Sequence, residues 1–153
     1  MERSGRASRR DLSLLVAGLA VTGVTTALAR RRVVQSAEDV AFRTVNGLPD
    51  GLHRPVWAVM QAGSLAAVFV TAGVARLAGR RSLALVLATT GTAVWGASKV
   101  VKRSVGRGRP AAHLGDVVVR GSEERGLGFP SGHAGVSFSL AMVAARSLPR
   151  WAR

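Results

Sequence analysis

The chain has 153 residues, 48% of them hydrophobic, and carries 22 lysine and arginine residues against eight acidic ones for a formal net charge of +14. Cysteine is absent, which excludes a disulfide framework and a thiolate metal site. The hydrophobic residues gather in long runs that are apolar all round, which argues against a small soluble helical protein, whose helices need polar faces.

In chain order, residues 1–11 form a basic cytoplasmic leader with Arg3, Arg6, Arg9 and Arg10, and a first span is predicted over residues 12–29. Ser8-Arg9-Arg10 and Ala27-Leu28-Ala29 also fit a cleaved export signal, but the run is long for a signal core and more spans follow. In the loop 30–54, Ala37, Ala41, Val45 and Leu48 recur at helical spacing and predict a short interfacial helix ended near Gly47 and Pro49. A second span is expected over 55–75, with Trp57 placed to anchor at headgroup level. The basic turn 76–81 joins it to a third span over 82–98 as a hairpin. A fourth span is expected near 132–148, and His133 is the only titratable side chain between residues 126 and 145.

Each run approaches the length needed to cross a hydrocarbon core about 30 Å thick at about 1.5 Å per residue. Gly18, Gly23, Gly63, Gly73 and Gly91 recur in the runs, as where membrane helices approach closely. The expected fold class is therefore all-α, a polytopic membrane helical bundle with about four transmembrane helices.

So basic a soluble domain would suggest nucleic-acid binding, but here the charges lie between the runs. Anionic headgroups and a phosphate-bearing ligand are the expected partners, and nucleic acid is not. With the amino terminus inside, the inner side holds ten Lys and Arg residues and the outer side twelve, so the raw count does not orient the chain. Seven of the twelve fall between Lys99 and Arg125, where a binding site for an anion would explain them.

The chemistry concentrates in residues 99–133, expected as a loop. Lys102 is followed after six residues by Arg109-Pro110, and Pro130-Ser131-Gly132-His133 opens the fourth span. A phosphate ester needs cationic donors around its nonbridging oxygens, which Lys102 and Arg109 supply. Proline at a helix mouth leaves the Ser131 and Gly132 N–H groups to face an anion, and glycine admits close backbone approach. His133 stands where an imidazolium could protonate a departing alkoxide. Singly, each residue has a plainer reading: snorkelling cations for Lys102 and Arg109, a helix start for Ser131 and Gly132, a structural histidine for His133.

In this order, the two elements resemble the first two signature motifs of the type 2 phosphatidic acid phosphatase family, which is related to vanadium haloperoxidases and bacterial acid phosphatases. Ala112-His113-Leu114-Gly115 and Gly126-Leu127-Gly128-Phe129 are also similar to that family, and the likeness covers about Lys99 to Ser139. The resemblance implies a six-helix membrane core and hydrolysis of a lipid phosphate monoester or diphosphate without metal or other cofactor. It places the active-site loop on the extracytoplasmic face of the inner (plasma) membrane. Lys102, Arg109, Ser131 and Gly132 would bind phosphate, and His133 would be the general acid. His53 and His113 match no motif position.

The family's third motif has a Ser-Arg pair, a nucleophilic histidine and an aspartate four residues later. No histidine or aspartate follows His133 in these 153 residues. The expectation is a fragment of a phosphatase that by itself binds phosphate weakly and turns over little or nothing. The alternative is a non-catalytic membrane protein with a phosphate or lipid-headgroup binding loop. Neither the particular lipid phosphate nor the oligomeric state is fixed by these residues.

Overall fold

A computed structural model describes residues 9–31, 36–110, 113–120 and 126–147. The leader before Arg9, Ala112, Arg125 and the basic exit after Ser147 lie outside the described residues. The described chain is all-α: α1 (Arg9–Arg30), α2 (Ser36–Asn46), a 3-10 turn (Asp50–Leu52), α3 (His53–Gln61), α4 (Leu65–Leu77), α5 (Arg81–Val105) and α6 (Gly132–Ala145).

Local chemistry sets the boundaries. Ser64 caps α4 by accepting a hydrogen bond from the Ala67 N–H at 3.1 Å, and Ser131 caps α6 by accepting from the Ala134 N–H at 3.3 Å. Gly106, in the left-handed region at φ +67°, ends α5 and donates to the Lys102 carbonyl at 2.9 Å. Lys102 and Arg103 lie in that last turn, where cations complement the negative end of the helix dipole.

The expected spans and the observed helices differ in three places. The second run is broken at Ala62–Ser64 into α3 and α4, with the Asp50–Gln61 and Leu65–Leu77 segments bent by 59°. The third run continues as helix to Val105, so Lys102 stands on a helix and not in the loop expected from residue 99 onward. The fourth helix ends at Ala145, shorter than the run expected over 132–148. Among the described residues, α5 alone is long and apolar enough to cross a membrane as one helix, and the bent pair would make a second span. Val16–Arg30 and α6 are apolar but shorter.

Helix α5 lies between α4 and α6 and packs on both. Their core joins Val68, Ala72 and Ala75 of α4, Ala84 and Leu87 of α5, and Val136 and Leu140 of α6. Close approach depends on small residues: a Cβ at Gly91 would stand 2.7 Å from both methyls of Val68, and one at Gly135 would stand 3.2 Å from a Val94 methyl. Large apolar side chains point outward, among them Phe69, Val74, Leu77, Leu85, Phe138 and Met142. Only 22% of the most apolar stretch of α5 is buried. The helices thus meet through alanines and glycines together with Val68, Leu87, Val136 and Leu140, while many large apolar side chains stay exposed.

Candidate functional site

The site forms where the C-terminal end of α5 meets the start of α6. Lys102, half-buried, donates from Nζ to the Leu127 carbonyl at 3.3 Å. Immediately after Lys102 the left-handed turn at Gly106 folds the chain back, and Gly108 makes an antiparallel bridge with Leu127. The Gly128 N–H donates to the Arg107 carbonyl at 2.8 Å. A Cβ at Gly128 would lie 2.9 Å from the Gly108 carbonyl oxygen and 3.2 Å from the Arg109 Cα, so this approach requires glycine. Lys102 and Arg109 are thereby laid beside the segment that runs four residues later into Ser131.

At the start of α6, Gly132 and His133 occupy the first two helical positions. By position their N–H groups have no acceptor within the helix. Gly132 lies on α5: a Cβ there would stand 2.9 Å from the Ser98 hydroxyl oxygen, itself donating to the Trp95 carbonyl at 2.7 Å. Ser98 is one helical turn before Lys102, so Gly132 and Lys102 share a face of α5. On its other side, the His133 backbone meets Gly63, where a Cβ would come within 2.1 Å of the His133 carbonyl oxygen.

Lys102, Arg109, Ser131, Gly132 and His133 are therefore gathered at one end of the helix bundle. Ser131 and His133 are exposed, whereas Arg109 is half-buried. The Ser131 oxygen accepts the cap bond of α6 through one lone pair, and its hydroxyl proton can be donated to a ligand. Of the other histidines, His53 begins α3 and His113 lines a small cavity with Glu38, Phe42, Arg107, Gly108, Pro110 and Leu114.

Four residues that matter to this geometry were not marked by sequence as site residues. Ser98 and Gly63 support the two sides of the α6 start, while Arg107 and Glu38 form an ion pair at 2.7 Å across 69 positions. Arg107 is buried, an uncommon state for arginine and one that needs a partner. The Gly63-Ser64 pair in an apolar run was the available signal for the first side. Nothing local distinguishes Arg107 from its neighbouring arginines.

Beyond the motif loop, residues 113–120 are strapped onto α2 and the turn after it. Asn46 exchanges hydrogen bonds with the Val118 backbone, donating at 2.9 Å and accepting at 3.0 Å. Arg120 donates to Asp50 and to the carbonyls of Asn46 and Leu48, each at 2.7 Å. Arg43 bridges Asp39 and Asp116. Its hydrogen bond and charge hold the Asp116 carboxyl below its ordinary pKa. Both groups are exposed, so this pair is screened by solvent and salt.

Compared with protein families, curated proteins and solved structures, the chain gives no match. The family likeness rests on its motif residues alone.

Proposed function

We propose that this chain is the phosphate-holding part of an integral-membrane lipid-phosphate phosphatase of the type 2 phosphatidic acid phosphatase kind. The observation that carries the reading is the convergence of the Lys102–Arg109 turn, through Leu127 and Gly128, on the α6 start that holds Gly132 and His133. Two cations and the N-terminus of a helix offer charge-assisted donors to a tetrahedral oxyanion. Lys102 and Arg109 bind the nonbridging oxygens, Ser131 and Gly132 add hydrogen bonds, and His133 protonates the lipid alkoxide as it leaves. No cofactor or metal enters this scheme.

The membrane part of the reading is supported by the outward-facing large apolar side chains and the low burial of α5. In it, α1, the broken α3–α4 pair, α5 and α6 are the four spans of a polytopic bundle. The site end lies at the extracytoplasmic face of the plasma membrane, and the Arg76–Arg81 turn lies at the cytoplasmic face. The lipid phosphate then reaches Lys102 and Arg109 from the headgroup layer.

A second reading is a non-catalytic membrane protein that holds phosphate or a lipid headgroup. The same two cations and helix start would hold an anion without any proton transfer. The two readings part at His133. Phosphate release from phosphatidic acid, measured in membranes expressing the protein from its natural gene, is expected to fall by about 10²-fold or more in His133→Ala, the contribution of a general acid. Absence of release from the wild type, or release unchanged in the variant, contradicts the catalytic reading.

A further inference from the structure

The motif loop does not stand by itself. Arg107, two residues before Arg109, is fixed twice: its carbonyl accepts from the Gly128 N–H at 2.8 Å, and its guanidinium meets the Glu38 carboxylate of α2 at 2.7 Å. The Arg107 side chain is 11% exposed and that of Glu38 is 45% exposed. The cation is thus the buried partner, and the carboxylate reaches in from the outer helix. Phe42, one turn after Glu38 on α2, lines the same cavity of about 20 Å³ as Arg107, Gly108 and Pro110, a space with room for about one water. Helix α2 therefore closes over the back of the Lys102–Pro110 turn.

Through this arrangement Glu38 can affect a bound phosphate although it belongs to neither motif. A buried guanidinium that loses one carboxylate partner is drawn toward its remaining partners or toward water. Arg107 has little room to move alone, because its backbone is bonded to Gly128 and its neighbour Gly108 is bridged to Leu127. A shift of Arg107 is passed along two residues to Arg109, whose Cα is held close to Gly128.

We propose that Glu38 is a positioning residue for the phosphate pocket, acting through its ion pair with Arg107 to set the place of Arg109. This inference rests on the reading of Lys102 and Arg109 as phosphate ligands. It assigns α2, otherwise only an interfacial helix, the role of buttress to the site. A small misplacement of a binding group has large effects on a preorganised site.

The test is titration of the full chain in detergent micelles with inorganic phosphate, scored on the folded fraction. Glu38→Gln is expected to weaken phosphate binding by about tenfold. In an Arg109→Ala background the same change is expected to have no further effect, because the group it positions is gone. General loosening of the fold would instead add its loss in that background, and that result overturns the proposal. An unchanged affinity in Glu38→Gln also overturns it. Should Glu38→Gln fail to fold, Glu38→Asp, which keeps the charge and shortens the reach, is held to the same two criteria. If Lys102→Ala and Arg109→Ala themselves leave phosphate binding unchanged, the phosphate pocket is wrong. If they weaken it while the Glu38 variant does not, only the positioning role fails.

Discussion

In the proposed pocket, Lys102, Arg109 and His133 would make different demands on a phosphate group. The two cations act on the bound anion at rest, so their loss shows as affinity, whereas His133 acts only when a proton moves and its loss shows as rate. Hydrogen bonds to charged groups contribute about 1.5–3 kcal/mol, so Arg109→Ala is expected to weaken inorganic phosphate binding by about 10- to 100-fold in a calorimetric titration. His133→Ala is expected to change the same affinity by less than about threefold, since a general acid serves the transition state and not the resting anion. An equal loss in both variants would argue that His133 is a ligand. At Asp116 the chemistry is that of an exposed pair. Its folded-state pKa lies below the ordinary value because of Arg43, so its contribution is present above the ordinary carboxylate range and is lost as pH falls through the folded value. The Val118 amide, which reports on the strap by donating to Asn46, is expected to shift in NMR spectra on acidification in that range, and Asp116→Asn is expected to abolish the shift.

At the scale of elements, glycine decides how closely the helices approach. Gly91→Ala places a methyl 2.7 Å from the Val68 methyls, and such overpacking costs about 1–3 kcal/mol, which a lowered thermal midpoint in detergent would register. Gly63→Ala meets backbone and not a flexible side chain, so α3–α4 and the start of α6 must separate. It is expected to lower stability and phosphate affinity together, whereas Gly91→Ala, farther from the site, lowers stability alone. Helices α1, α2 and α5 were legible because long apolar runs and helical spacing announce them. The break at Ala62–Ser64 was hidden because hydropathy does not register a cap or a glycine contact. The extension of α5 was hidden because Lys99 to Arg103 reads as polar, although lysine and arginine are good helix formers. Order and spacing single out the five motif residues, and the fold brings them to one end of the bundle. The Glu38–Arg107 pair and the Asn46–Val118–Arg120 clamp were not legible, because pairings across about seventy positions leave no local pattern.

At the scale of the molecule, many large apolar side chains face outward around a core of alanines, valines and leucines, an exposure that burial in water disfavours. The bilayer reading makes this exposure ordinary, because lipid chains solvate Phe69, Leu85 and Phe138 while Gly91 and Gly135 let the helices approach closely. It also places the site end and the Arg76–Arg81 turn on opposite sides of a membrane. The chain has no cysteine, so single cysteines at Gly115 and at Ala78 can be labelled in intact cells with a membrane-impermeant maleimide. Labelling is expected at residue 115 and, only after the membrane is opened, at residue 78. Labelling of both in intact cells would contradict the spanning arrangement.

The phosphate pocket itself is tested most directly by vanadate, which shares the tetrahedral oxyanion geometry of phosphate. A vanadium NMR titration of the full chain in detergent should show a broadened vanadate resonance that inorganic phosphate restores, and Lys102→Ala and Arg109→Ala should each weaken the broadening by about tenfold or more. A vanadate signal unaffected by the wild-type chain, or broadened by both variants as much as by the wild type, would contradict a phosphate pocket built from Lys102, Arg109 and the start of α6.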